Sequence, residues 1–403
     1  MRILADVTTW APGRSGIGLY TERLLQAMAA AYPEDAWLLA SNVAGSLADI
    51  PGRHIGPRLP VRALWMQTAM AWHGWRQHVD IAFYPNYLGP LLPSAPMVAT
   101  FHDMAVYLTP ETFSLRKREL QRRLLPLVAA RAAAILTPSA SSRRDVIRLL
   151  DVDPKRVVVT PLAADERFFG RIDAATVAEI RGRFGLPARY LLAVGTLEPR
   201  KNLVRLVTAF ERVWAHDRSV GLVLVGGKGW RDDAIRAALG SSPAREAILT
   251  TGYVEPHELH CLYQEAIALC YPSLYEGFGL PVVEAMAAGT AVLVSRGSSL
   301  DEVAGDAALA VPPLDVDAIA EGMGTLLHDD ALRSRLVEAG AARAATLSWA
   351  RTAASTRAVF ARVIDGRAPD GSDDPVQPPA PCRAPPAAPG RAPSAAAGRH
   401  EVP

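Results

Sequence analysis

Residues 267–295 read IALCYPSLYEGFGLPVVEAMAAGTAVLVS. The stretch opens with a short apolar run ending at YPS and passes through a glycine-rich turn, EGFGLP. It then enters a small-residue helix, VVEAMAAG, and closes on a second apolar run, TAVLVS. A buried strand, a tight turn, a helix and another buried strand make the repeating unit of a parallel α/β sheet. Two carboxylates flank the turn, Glu276 before it and Glu284 inside the helix.

The same unit recurs in both directions. Toward the N-terminus of this half lie YLLAVGT, GLVLVGG and AILTTGY, and AALAVPP follows. The first half holds its own series, ILADVT, AWLLA, IAFYP, MVATF, AILTPS and RVVVTPL. Helices are expected between them, one opening after Gly18 and one in SASSRRDVIRLL, where the serines can cap the N-terminus. The expected fold is therefore two doubly wound α/β domains facing a cleft at the carboxyl ends of both sets of strands. The expected divisions are residues 1–165, a less regular hinge at 166–187, a second domain at 188–347 and a helix at 348–365. From 366 to 403 the composition turns to Pro, Ala, Gly and Arg, and a disordered tail is expected.

Composition narrows the function. The chain has 403 residues, half of them apolar, enough for a core in each domain. A formal net charge of +2 argues against a general nucleic-acid binder. Cys261, Cys270 and Cys382 lack CxxC spacing and zinc-ligand histidines, so neither a disulfide framework nor a structural metal is suggested, and a reducing cytosol fits. MRILADVTTW carries Asp6 where a secretion signal needs an unbroken apolar run, and reads as a first buried strand. LLPLVAARAAAILTP is too short to span a bilayer and is broken by Arg131.

Chemistry gathers where strands end. GTLEPRKNL, residues 195–203, follows the first strand of the second half, with Gly195 at the strand end and a helix expected near Asn202. Arg200 and Lys201 beside a helix N-terminus suit a diphosphate; away from a strand end they would be an ordinary solvated pair. LVGGKGW, residues 224–230, lacks the full GxGxxG pattern and reads as a tight turn. GYVEPHEL ends a strand near Val254 and starts a helix at Pro256, either a plain connection or an edge that can read a nucleobase. Glu284 lies where an acidic residue accepts ribose hydroxyls in nucleotide folds.

EGFGLPVVE, with GTLEPRKN, GYV and the N-terminal SGIGLYT, resembles the retaining two-domain GT-B glycosyltransferases of family 4. The resemblance is nearest to bacterial GDP-mannose-dependent mannosyltransferases and their rhamnosyl-transferring relatives, and it covers roughly residues 1–365. It implies that Arg200 and Lys201 bind and neutralise the donor diphosphate. It further implies that Glu284 holds the ribose, Glu276 the hexose hydroxyls, and the backbone near Val254 the base. The Gly277, Phe278, Gly279 and Leu280 turn would lie against the donor. Gly16 and Gly18 would form a loop that approaches the β-phosphate or acceptor. His102 in FHDM would support catalysis beside the donor sugar, whereas the residues alone also allow a structural pair with Asp103. Asp103 and Arg143 are expected on the cleft side without a role. The implied C-terminal helix crosses back to the first domain.

The implied activity is transfer of a hexose, mannose from GDP-mannose, to a glycan or polyprenyl-linked acceptor in surface polysaccharide synthesis. Another donor sugar (rhamnose, glucose or N-acetylglucosamine), an epimerase of the same fold and a non-catalytic nucleotide-sugar-binding subunit are the alternatives. No DxD pair follows a strand; Asp232 and Asp233 sit at an expected helix start, so neither metal nor cofactor is expected. LRKRELQRRLLPLV, residues 115–128, is basic and amphipathic, and ALWMQTAMAWHGW adds Trp65, Trp72 and Trp75. These segments suit peripheral docking on the anionic inner face of a membrane, or a core helix with a solvated face.

Overall fold

The computed structural model describes residues 1–9, 16–41, 50–56 and 62–369. The tail expected to be disordered lies, from residue 370 on, outside the described residues. Two wholly parallel sheets organise the chain. The first has seven strands: β1 (Arg2–Asp6), β2 (Ala36–Ala40), β3 (Arg53–Ile55), β4 (Ile81–Tyr84), β5 (Met97–Thr100), β6 (Ala134–Thr137) and β7 (Val157–Val159). Their spatial order is β3-β2-β1-β4-β5-β6-β7. The second has β8 (Arg189–Val194), β9 (Val220–Val225), β10 (Ile248–Gly252), β11 (Ala268–Tyr271), β12 (Ala291–Ser295) and β13 (Leu309–Val311). Their order is β10-β9-β8-β11-β12-β13.

Each strand expected from an apolar run forms, because a parallel sheet covered on both faces demands near-continuous apolar residues. In β4, β5, β6, β9, β11 and β12 every residue is buried. β3 was not anticipated: it is a three-residue edge strand whose Arg53 and His54 are exposed. The order reverses beside β1 and β4 in the first sheet and beside β8 and β11 in the second. At such a reversal the two neighbouring loops splay apart and leave a crevice at the carboxyl ends of the strands.

The hinge stretch is more regular than its sequence suggests, holding a helix at Ala174–Phe184. Asp173 caps its start through Ala175 and Thr176, and Gly185 ends it in a left-handed conformation with φ 62°. Capping rather than amphipathic patterning specifies this helix, which is why periodicity passes over it. The helix Gly16–Ala31 also corrects an expectation. Gly16 and Gly18 are its first residues and not part of a loop.

The C-terminal helix, Trp349–Ile364, packs on the first half. Its Phe360 ring lies 5.2 Å from Phe83 of β4, and Thr352 donates to the Pro161 carbonyl at 2.6 Å. Arg357 reaches the buried Asp35 carboxylate, Nε to Oδ2, at 2.8 Å. No helix among the described residues is long and apolar enough to cross a membrane.

Candidate active site

The loops after β8 and β11 meet at the reversal of the second sheet, and the pairing of those two strands brings GTLEPRKN and EGFGLP together. Pro199–Lys201 form a single 3-10 turn, and Asn202, in a left-handed conformation, separates it from the helix Leu203–His216. The cations therefore stand on their own short turn one residue ahead of the helix. Asn202 fixes that turn, its Nδ2 donating to the carbonyls of Pro272 at 3.0 Å and Pro313 at 2.6 Å.

Both cations reach the same carboxylate. Arg200 Nη1 donates to Glu276 Oε2 at 2.6 Å, and Lys201 Nζ to Glu276 Oε1 at 2.7 Å. Arg200 Nη1 also reaches the Tyr275 carbonyl at 3.0 Å, while Nη2 donates to Glu198 Oε1 at 2.6 Å. Lys201 Nζ is bonded to the Tyr271 hydroxyl, which itself donates to Glu276 Oε1 at 3.2 Å. Burial alone would raise the Glu276 carboxyl, but Arg200 and Lys201 hold it down at about 2. Lys201 is lowered, by burial first and then by repulsion from Arg200, with Glu276 opposing both. A buried pair of this kind persists only when every member has partners, and here each does.

Glu284 is placed differently. It lies in the helix Leu280–Ala287, is 5% exposed, and accepts a 3.0 Å bond from the Tyr263 hydroxyl at Oε2. Burial, reinforced by the nearby Asp165 carboxylate, pushes it up to about 7. The two glutamates of one motif thus differ in how they titrate. Glu276 is locked as an anion, and Glu284 is poised between acid and carboxylate.

The turn between them needs its glycines. A Cβ on Gly277 would stand 1.8 Å from the His102 carbonyl oxygen, so the two halves of the molecule touch there without side chains between them. Gly279 has φ 95°, a conformation side chains resist, and a Cβ would stand 2.1 Å from Leu300. Phe278 is buried, and Leu280 begins the helix.

From the first sheet comes His102, 9% exposed in the loop after β5. Its Nε2 pairs with the Pro85 carbonyl at 2.9 Å, and its ring meets Tyr20 edge-on at 4.7 Å. Burial lowers it and favours the neutral imidazole. Ser139 and Ser142 donate to the Gly277 carbonyl at 2.7 and 3.0 Å. Glu302 accepts from the Ala140 and Ser141 amides at 2.7 and 2.8 Å, capping a first-sheet helix from across the cleft. The Tyr275 hydroxyl joins Asp145 Oδ2 at 3.0 Å and the Met104 amide at 3.1 Å.

Other expected positions fall less centrally. Val254 is buried two residues beyond the end of β10, and the helix after it begins at Pro256 with a capping box between Glu255 and Glu258. Gly195 follows β8 and donates its amide to the Val225 carbonyl at 2.8 Å. Asp103 lies close enough to raise the Arg200 guanidinium along with Glu276 and Glu198, against the lowering effect of burial. Arg143 is turned away to the carbonyls of Val157 and Pro154. Glu198, Tyr271 and Tyr263 were not singled out from the sequence. Glu198 sits inside the quoted EPRKN motif, whereas the tyrosines carried no signal beyond their apolar runs.

Two facing parallel sheets with a buried cation pair at a strand-order reversal have the build of a two-domain nucleotide-binding transferase. Comparison with known families agrees: residues 179–343 match the family described as glycosyl transferases group 1, and residues 14–168 the one described as glycosyltransferase family 4. The chain is 36% identical over 277 residues to the O-antigen chain mannosyltransferase B of Escherichia coli, covering 68% of this chain and 72% of that protein. It is 27% identical over 293 residues to a D-inositol 3-phosphate glycosyltransferase of Corynebacterium glutamicum, covering 68% and 69%. The structure of sucrose-phosphate synthase from Thermosynechococcus elongatus superposes with a TM-score of 0.73 at 19% identity, over 91% of this chain and 100% of that one, which shows the shared GT-B fold. The chain belongs to the family 4, group 1 glycosyltransferases and is an enzyme that transfers a sugar from a nucleoside diphosphate donor to an acceptor.

Proposed function

We propose that the chain is a retaining hexosyltransferase whose donor diphosphate is bound by Arg200 and Lys201. The observation that carries this is the sharing of one buried carboxylate, Glu276, by both cations at the reversal of the second sheet. Two cations aimed at one point between adjacent strand ends form a receptor for a dianion. In this reading the incoming diphosphate takes the cations, and Glu276 turns to the hexose hydroxyls. Glu284 takes the ribose, and the backbone near Val254 takes the base. The Gly195 and Gly277–Leu280 backbone lines the donor, with Gly16 and Gly18 near its phosphate or the acceptor, and His102 beside the sugar.

The reaction then proceeds on one face. The bond from the anomeric carbon to the phosphate oxygen breaks, the acceptor oxygen bonds to the same carbon from the same side, and the acceptor proton passes to the departing phosphate. Arg200 and Lys201 stabilise the charge that develops on that phosphate, in a site from which the touching halves exclude water. A double displacement requires a carboxylate opposite the leaving group. Glu276 lies instead with the cations.

The donor sugar is taken no more narrowly than hexose. The E. coli relative is named for mannosyl transfer and the C. glutamicum relative for D-inositol 3-phosphate, so mannose from GDP-mannose stands as one arm beside glucose, N-acetylglucosamine and rhamnose donors. The acceptor is read as a glycan or lipid-linked glycan, with the enzyme at the inner face of the membrane. Trp75, 70% exposed, Trp72, and Leu115, Leu120 and Leu127 of the basic helix Leu115–Arg131 support that partner, whereas Trp65 is wholly buried and belongs to the core. Purified protein incubated with a panel of nucleotide sugars and a synthetic lipid-linked acceptor tests the reading. Nucleotide release together with a product one hexose heavier is expected, and a sugar nucleotide of unchanged mass but altered stereochemistry, with neither glycoside nor net nucleotide release, points to the epimerase alternative. Failure to bind anionic vesicles at low salt removes the membrane partner.

A further inference from the structure

Each cation of the cluster has one shared side-chain partner and one side-chain partner of its own. Glu276 is shared. Lys201 alone is bonded to the Tyr271 hydroxyl, with Nζ 4.7 Å from the centre of that ring. Arg200 alone is held by Glu198, whose carboxylate is 3% exposed and meets Nη2 at 2.6 Å. Glu198 also builds the turn: it immediately precedes Pro199–Lys201 in an extended conformation, and its carbonyl accepts the Lys201 amide at 3.0 Å.

We propose that Glu198 is a positioning residue for Arg200, holding the guanidinium by Nη2 so that Nη1 can pass from Glu276 to a donor phosphate oxygen. The proposal rests on the diphosphate reading above. If Glu276 turns to the sugar, Arg200 loses the stronger of its two Nη1 contacts and keeps only the Tyr275 carbonyl there. A long side chain released in this way regains rotamer freedom and must be ordered again by the ligand. The Glu198 carboxylate removes that need. It is also a poor ligand group itself, being buried and already committed to the guanidinium.

The test uses inorganic pyrophosphate, which needs no choice of base or sugar, titrated calorimetrically into the full chain. Glu198→Gln keeps an oxygen acceptor and Glu198→Met keeps the bulk without one, and both remove the same charge. Their difference therefore isolates the hydrogen bond to Arg200. The Gln variant is expected to bind at least as tightly as the unaltered chain, and the Met variant about ten-fold more weakly than Gln. A merely structural role lowers the melting temperature of the Met variant and leaves the two affinities equal, and equal affinities overturn the proposal. Should Met not fold, Glu198→Ala takes its place, and if neither folds, Glu198 serves the fold and the proposal falls. Arg200→Ala separates the two claims. If it binds pyrophosphate like the unaltered chain, or if the unaltered chain does not bind at all, the diphosphate reading fails first.

Discussion

The two sheets present unlike edges to the cleft they share. At the second, Arg200, Lys201 and the Tyr271 hydroxyl close around the Glu276 carboxylate, with Glu198 behind Arg200, while Tyr263 bonds Glu284 apart from them. At the first, the nearest candidate is a histidine tied to a backbone carbonyl, and the hydroxyls of Ser139 and Ser142, the amides of Ala140 and Ser141 and the Asp145 carboxylate hold the halves together. On the function proposed above, the difference follows from what each side recognises. A diphosphate is a fixed, strongly charged object and rewards preorganised cations. An acceptor hydroxyl is neutral and is selected by shape.

That contrast can be broken at its strongest point first. Replacing Arg200 or Lys201 with alanine should lower turnover by about a hundred-fold or more, as removal of a transition-state charge partner does, while the circular dichroism spectrum is kept. Glu276→Gln sharpens it further. It removes the internal anion that occupies both cations, so pyrophosphate binding should tighten while sugar transfer falls; weaker pyrophosphate binding would mean that Glu276 orients the cations instead of competing for them.

A smaller effect separates the two glutamates by pH. The Glu284 carboxyl rises from an ordinary value of 4.5 to about 7 in the folded chain, so the folded state binds the proton more tightly than the unfolded one. Its contribution to stability is greatest below pH 4.5 and is lost as pH rises toward 7. Glu284→Gln should therefore stabilise the ligand-free protein at neutral pH, by on the order of 2 kcal/mol, seen as a higher melting temperature whose advantage vanishes in acid. An advantage that persists unchanged at low pH contradicts the assignment. Smallest is the contact between halves: Glu302→Gln keeps one acceptor but loses the charge at the N-terminus of the helix Ala140–Leu150. A loss of about 1 kcal/mol or less is expected, read from the melting temperature.

How much of this was legible in the sequence depends on range. Apolar runs announce every long strand, and Ser139 before ASSRRDVIRLL announces a capped helix, because burial and capping are local. The helix Ala174–Phe184 is missed because its signal is a single aspartate and a single glycine. The motifs locate Arg200, Lys201, Glu276 and Glu284, but not that the first three are one cluster, since that depends on β8 lying beside β11. Tyr271 and Tyr263 are hidden in apolar runs, where only the fold reveals that each hydroxyl meets a carboxylate. Arg143 sat near the cleft in sequence order, yet its guanidinium found backbone carbonyls at the sheet edge.

The central claim is that Arg200 and Lys201 exchange Glu276 for the donor diphosphate, and a crystal structure of the chain with a bound nucleoside diphosphate tests it most directly. The account predicts phosphate oxygens within hydrogen-bonding distance of both cations, the Glu276 carboxylate released from at least one of them, and Glu198 still on Nη2 of Arg200. A diphosphate bound elsewhere, with both cations still paired to Glu276, would contradict it.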